Sequence, residues 1–93
     1  MDYSKLSDDE INNMVGRVVS QRFRTDYCNN PADAWPIITE NRIGIIPAPE
    51  VGMWKSAHRR VGDDDTPQHF NQNVNPLRAA MIVFLMMQES QDA

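Results

Sequence analysis

The C-terminal segment 77–87 constrains the fold of this 93-residue chain more than any other part, because its only polar side chain is Arg78. A helix that is apolar on every side has to be buried on every side, either in the centre of a domain or against a second subunit. Asn75 and Pro76 stand before the segment and supply a helix cap and a first helical residue. The sequence therefore predicts a helix over 76–89 that is central to the core or shared with a second copy.

The N-terminal region has the clearest local helix signal. Ser7 and Glu10 form an S-x-x-E capping box, in which each side chain bonds the backbone N–H of the other residue. Apolar residues then recur at the spacing of one buried helix face, which predicts a helix over 8–20. The residues of that face are Ile11, Met14, Val15, Val18 and Val19.

A second helix is predicted over 31–41. Asn30 is its cap, and Pro31 is a standard first helical residue. Pro36 lies inside this helix, lacks the N–H that a helix interior uses and crowds the preceding turn. Either the helix bends at Pro36, or its first turn is separate and the helix restarts near Asp33.

Three segments have the pattern of strands. Side chains alternate over 22–27, which predicts a short half-buried strand. The segments 43–46 and 51–58 flank a turn at 47–50 that contains two prolines, and this arrangement predicts a hairpin.

The segment 59–74 is polar, rich in breakers and without periodicity, so it is predicted to be a long polar loop that is either functional or mobile. The last residues, 90–93, are predicted to fray. The chain is then one α+β domain over 1–93. It has three helices and a small antiparallel sheet of two or three strands, with the C-terminal helix central.

Composition and charge argue against several classes of protein. The net charge of −4 disfavours nonspecific binding to DNA or RNA, which needs clustered Lys and Arg. Cys28 is the only cysteine, so no internal disulfide can form and a reducing compartment is expected. The first residues lack the pattern of a signal peptide, and the longest apolar run, 79–87, is far shorter than the about 20 residues of a membrane helix. We expect a cytoplasmic protein without a membrane span.

Three segments of the chain resemble a known family. They are MDYSKLS running into EIN within 1–12, CNNPADAWPII with ENRI within 28–43, and NPLRAAMIVFLMMQ within 75–89. Together they are similar to the NinX-type proteins of lambdoid phages and of prophages in enteric bacteria. The resemblance implies an accessory phage gene expressed inside the host. It implies no activity, cofactor or catalytic residue, because the family is of unknown function.

Arg78 is the first candidate binding residue. It lies in the first turn of the C-terminal helix, where a cation opposes the helix dipole, so an anionic group should compensate it. We expect an internal ion pair with Asp33, or failing that with Asp26 or Glu40. The alternative is an anionic ligand bound by Arg78 and the free amide groups that follow Asn75.

A basic cluster is the second candidate site, and Trp54 adds to it a stacking surface of the kind that binds single-stranded nucleic acid. In an acidic protein, a solvated strand end followed by a loop is the favoured interpretation. Trp35 is expected in the core, because large aromatic side chains usually fill the core of a small domain. Trp54 is expected either in the core or as an exposed anchor of an interface. The cluster comprises Trp54, Lys55, His58, Arg59 and Arg60.

No segment predicts catalytic or metal chemistry. The acidic run 63–65 lacks the central Gly and distal Glu of a calcium loop. Cys28 has no recognisable catalytic signature around it, and free cysteine is usually buried. Cys28, His58 and His69 fall short of the four ligands of a structural zinc site. We therefore predict no catalytic residue, no metal site and no cofactor.

The favoured function is that of a non-enzymatic phage accessory protein that binds a host or phage protein. The alternative is a nucleic-acid-associated factor that uses Arg17, Arg22, Arg24 and the basic residues of 55–60. A homodimer is expected if the other helices leave part of the C-terminal helix uncovered.

Overall fold

The structure is a computed structural model that describes residues 2–19, 25–58 and 69–92, with side chains up to residue 89. It contains three α-helices and a three-stranded antiparallel sheet, which confirms the predicted α+β class. In chain order the elements are a 3₁₀ turn (Tyr3–Lys5), α1 (Asp8–Val19), α2 (Pro31–Glu40), β1 (Gly44–Pro47), β2 (Trp54–His58), β3 (His69–Asn73) and α3 (Pro76–Asp92).

The capping box before α1 forms as predicted. The Ser7 N–H donates to Glu10 Oε1 at 3.1 Å, and the Glu10 N–H donates to Ser7 Oγ at 3.1 Å. These reciprocal bonds satisfy two donors that a helix start leaves free. Ile11 and Val15, one turn apart on the predicted apolar face, are fully buried.

The second helix begins at Pro31 with Asn30 as its cap, because Asn30 Oδ1 accepts from the Ala32 N–H at 3.1 Å. It runs without interruption through Pro36, so the alternative of a restart near Asp33 is wrong. Thr39 Oγ donates to the Trp35 carbonyl at 3.0 Å, which supports the turn that contains the proline.

The sheet has the order β1-β2-β3. The predicted hairpin is confirmed, since β1 and β2 are antiparallel neighbours with Ile45 opposite Ser56. The predicted strand at 22–27 is not a strand where it is described. Thr25 and Asp26 have no regular structure and Tyr27 is in a turn, while 22–24 lie outside the described residues.

The third strand, β3, lies inside the segment predicted as a loop, so the prediction for 59–74 is wrong at His69–Asn73. Phe70 is the only apolar residue of this strand, and no alternation of apolar and polar residues marks it. Its extended form comes from pairing with β2, in which Trp54 is opposite Asn73 and His58 is opposite His69. Pairing imposed by the tertiary structure overrides weak local preference.

The C-terminal helix is the centre of the fold, as predicted. It contacts α1, α2 and all three strands. Ile82 is 1% exposed and Phe84 3% exposed, although they point to different sides of the helix, so both are buried within one chain as expected. This coverage removes the reason given above for a dimer, and the oligomeric state stays a prediction.

The end of α3 lies beyond the predicted boundary at residue 89. The helix continues to Asp92, so the predicted tail 90–93 overlaps it, and Ala93 is outside the described residues. Near this end the Tyr3 hydroxyl donates to Glu89 Oε2 at 2.6 Å. That bond ties the last turns of the helix to the N-terminal region, which favours helical structure there.

Candidate functional site

Arg78 is paired inside the protein, which confirms the favoured interpretation, but its partner is Asp8. The guanidinium Nη1 lies 2.7 Å from Asp8 Oδ1, and the Arg78 side chain is 12% exposed. Its Nη2 donates to the carbonyls of Ser4 at 3.2 Å and Leu6 at 2.5 Å. The first-choice partner, Asp33, was therefore wrong. The sequence signal for Asp8 was its place in the first turn of α1, where a carboxylate suits the helix dipole.

The amide groups at the start of α3 are also used inside the protein. Asn75 Oδ1 accepts from the Leu77 N–H at 3.0 Å and from the Arg78 N–H at 3.3 Å. Asn75 Nδ2 donates to the Cys28 carbonyl at 2.7 Å, so the cap also ties α3 to the segment before α2. The cap and the guanidinium both bond to other segments of the chain. We call this region, formed by Asn75 and Arg78 with Asp8 and Cys28, the junction. These internal partners favour the structural interpretation of Arg78 over an anion site.

The same junction buries Cys28. Its backbone N–H donates to Asn12 Oδ1 at 3.0 Å, and the residue has no exposed surface. Burial, and next the nearby Asp8 carboxylate, raise the pKa of the Cys28 thiol to about 12. A thiol that is protonated at neutral pH is a poor nucleophile, so Cys28 fills space in the core.

A shallow depression of about 220 Å³ lies beside this junction, and its polar groups are partly used. The Asp26 carboxylate accepts from Asn12 Nδ2 at 2.9 Å and from Asn29 Nδ2 at 3.1 Å. Across the three described ranges, no three His, Cys, Asp or Glu side chains come together as a metal-binding group. The depression is lined by Asp9, Asn12, Asn13, Thr25 and Asp26.

Trp35 is not in the core, so that prediction is wrong. Its side chain is 59% exposed on the solvent side of α2. Ala34, Ile37 and Ile38 form the buried face of this helix at positions i, i+3 and i+4. Trp35 falls outside that stripe, and the periodicity of α2 was a better guide than the size of the side chain.

The described members of the predicted basic cluster lie on two faces of the sheet. Side chains alternate between the faces of a strand, so Trp54 and His58 share the face of the fully buried Ser56, while Lys55 points the other way. Trp54 is 37% exposed at the end of the sheet. Arg59 and Arg60 lie outside the described residues.

Lys55 instead belongs to what we call the outer sheet face. Ile46 is directly opposite Lys55 in the sheet, and the Lys55 ammonium lies 5.0 Å from the centroid of the Phe70 ring. Ile46 is 56% exposed and Phe70 53% exposed. Sequence reasoning missed Phe70 because its strand was not predicted. The outer sheet face consists of Gly44, Ile46, Lys55, Ala57, Phe70 and Gln72.

The opposite face of the sheet, which we call the inner sheet face, packs on α3 and is unusually polar. Ser56 is opposite Asn71, and the rings of His58 and His69 are stacked with centroids 6.3 Å apart and an interplanar angle of 16°. Ser56 Oγ, Asn71 Oδ1 and His58 Nδ1 are buried without a hydrogen-bond partner. Burial and the neighbouring His69 lower the pKa of His58.

Comparison with known proteins identifies the family. A family model described as "Bacteriophage P22, NinX" matches residues 8–88, which include the segments between those that carry the resemblance. No curated protein and no solved structure matches the chain. None of the helices described is long and apolar enough to cross a membrane. The chain therefore belongs to the NinX family of phage proteins, a family of unknown function.

Proposed function

We propose that this NinX-family protein is a non-enzymatic protein-binding module that acts in the cytoplasm of the host cell, and that the outer sheet face is its contact surface. The observation that carries the proposal is the diagonal row formed by Ile46, Lys55 and Phe70, in which Ile46 is opposite Lys55 and Phe70 lies one pair further along the same face, opposite Ala57. One residue comes from each strand, and both apolar side chains are more than half exposed. Exposed apolar groups that lie together on a small domain often mark an interaction site.

The chemistry of this row specifies the kind of partner. Phe70 offers a rigid apolar surface that can fill a pocket, and Ile46 widens it. Lys55 lies between them and calls for an acidic side chain on the partner, placed at the rim of the apolar contact. The partner is therefore a protein with an apolar patch next to a carboxylate.

The non-enzymatic part of the proposal is supported by the reactive groups that the sequence offers. Arg78 is bound by one carboxylate and two carbonyls, and Cys28 is buried as a neutral thiol. Both therefore serve the fold, and neither is placed to act on a substrate.

The test starts from phage-infected host cells and tagged protein. Proteins captured by the wild type are identified, and each candidate is purified and titrated against the wild type and Phe70→Ala. Phe70 is exposed, so the variant should fold normally. If Phe70 is the central contact, its removal should weaken binding by about 30-fold or more, since hot spots contribute about 2 kcal/mol.

Val51→Ser is the matched control, because Val51 is fully exposed in the turn between β1 and β2 and lies off the outer sheet face. It should bind like the wild type. Equal affinity of the wild type and Phe70→Ala would contradict the assignment of the surface. Light scattering on the wild type alone would reveal a second copy of the chain as the partner, in which case Phe70→Ala should abolish the dimer.

A nucleic-acid-associated role is the second candidate, and one observation favours it. An exposed Phe with a Lys over its ring resembles the stacking platforms that bind single strands. The net charge of −4 opposes it. Arg17 is exposed on α1, while Arg22 and Arg24 lie outside the described residues. Binding of single-stranded oligonucleotides that weakens with salt and is lost in Lys55→Ala would support this role over protein binding.

A further inference from the structure

The two histidines of the chain are brought together by the sheet. The protein has only two, and they occupy opposite positions of neighbouring strands, with His58 at the end of β2 and His69 at the start of β3. Their pairing could not be predicted from the sequence, because β3 was not predicted. The register therefore brings together two possible metal ligands that are eleven residues apart in the sequence, although they still fall short of the four ligands of a structural zinc site.

The cross-strand position of the pair allows one shared ligand. Side chains at opposite positions of an antiparallel pair have Cβ atoms about 5 Å apart. The two rings face each other with centroids 6.3 Å apart, and His58 Nδ1 has no hydrogen-bond partner among the described residues. Both side chains are half-buried, but His58 Nδ1 is itself buried, so the His58 ring has to turn before an ion from solvent reaches that nitrogen.

We propose that His58 and His69 together bind one divalent transition-metal ion of the class that imidazole prefers, represented by Zn²⁺ and Cu²⁺. Each Zn–N bond is about 2.1 Å, so two imidazole nitrogens on one ion lie at most about 4.2 Å apart. Because the nitrogen lone pairs lie in the ring planes, which are nearly parallel here, both rings have to turn about their side-chain torsions to point a nitrogen at the same ion. Two protein ligands leave coordination positions open, so the site exchanges its ion with solvent and is not a structural zinc site.

The surroundings of the pair add to the inference. Ser56 Oγ and Asn71 Oδ1 lie on the same inner sheet face, one step along the ladder from the histidines, and both are buried without a partner. Buried polar atoms without partners are rare in native proteins and often mark an unseen water or ion. Three buried atoms of the inner sheet face thus have no hydrogen-bond partner among the described residues, namely Ser56 Oγ, Asn71 Oδ1 and His58 Nδ1.

Calorimetric titration of the full-length chain with ZnCl₂ tests the site, after dialysis against EDTA and then buffer. We expect saturable binding of one ion per chain. His58→Gln and His69→Gln should each weaken it by about tenfold or more, since even the loss of a group behind a ligand costs that much. Cys28→Ser is the control, because Cys28 is the other soft donor and is fully buried; it should bind like the wild type.

A second measurement avoids dependence on the folding of the variants. The ring protons of the two histidines are the only imidazole signals of the chain in an NMR spectrum. Zn²⁺ should shift both sets together, and Cu²⁺ should broaden both. Absence of saturable binding would overturn the proposal, as would ion binding that leaves the imidazole signals unchanged or that persists equally in both variants, because carboxylates would then be the ligands.

Discussion

The polar groups of the junction have hydrogen-bond partners, whereas several polar groups of the sheet have none among the residues that the structure describes. At the junction the guanidinium has three partners, and the cap residue Asn75 uses both ends of its side chain. On the sheet, Ser56 Oγ and Asn71 Oδ1 are buried without partners, and the Lys55 ammonium lies over the exposed Phe70 ring. The difference teaches that the most conspicuous charge of the sequence belongs to the fold, while the buried polar atoms without partners and the exposed Phe70 ring lie on the sheet.

The largest effect is expected for a pair of matched phenylalanine variants. Phe84 is 3% exposed in the core and Phe70 is 53% exposed on the outer sheet face. Phe84→Ala should lower the free energy of unfolding by about 3–5 kcal/mol, because it leaves a cavity. Phe70→Ala should change it by less than about 0.5 kcal/mol. Urea denaturation measures both, and similar losses in the two variants would break the distinction.

A matched pair of arginine variants tests the junction. Arg78→Met should lower the free energy of unfolding by about 3 kcal/mol, since it leaves the Asp8 carboxylate and the carbonyls of Ser4 and Leu6 without their partner. The figure is at the lower end of the range for a buried pair because Asp8 is 43% exposed. Arg17→Met, on the exposed face of α1, should be nearly neutral. Thermal denaturation compares them, and an Arg78→Met protein as stable as the wild type would show that the pair contributes little.

Two serine variants should change stability in opposite directions. Ser7 caps α1, so Ser7→Ala should lower the free energy of unfolding by about 1 kcal/mol. Ser56 Oγ is buried without a partner, so Ser56→Ala should leave stability unchanged or raise it by up to about 1 kcal/mol. Chemical denaturation of the metal-free protein checks the signs. A clear loss of stability in Ser56→Ala would mean that its hydroxyl is satisfied in solution.

The smallest effect is expected for alkylation of the Cys28 thiol, which should be very slow in the folded chain. Because burial raises the pKa of Cys28 to about 12, its thiol stays protonated through neutral and mildly alkaline pH, and thiolate forms only at far higher pH. Iodoacetamide should therefore label the folded chain very slowly and the chain in denaturant rapidly, as mass spectrometry can show. Arg78→Met, which loosens the junction, should label faster. Equal rates for folded and unfolded wild type would contradict the burial.

The sequence predicted those parts of the fold that depend on neighbouring residues. The caps at Ser7 and Asn30 and the burial of α3 follow from local chemistry and periodicity, and the structure confirms them. The strand β3 could not be predicted in this way, because its polar residues become a strand only through pairing with β2.

The candidate sites were predicted less well, for a related reason. That Arg78 needs an internal partner followed from its place on an apolar helix, but the choice of Asp8 depends on how α1 docks beside α3. The outer sheet face and the histidine pair both require the register of β3. Surfaces that are assembled across strands therefore cannot be predicted from the sequence until the pairing of the strands is known.

The central claim is that binding belongs to the sheet and stability to the junction, and one comparison tests it directly. Once a partner has been identified, its Kd and the melting temperature are measured for Phe70→Ala and Arg78→Met, with binding assayed where both variants are folded. We expect Phe70→Ala to keep its melting temperature and lose the partner, and Arg78→Met to melt earlier and bind like the wild type. The reverse result, in which Arg78→Met keeps its melting temperature but loses the partner, would contradict the account.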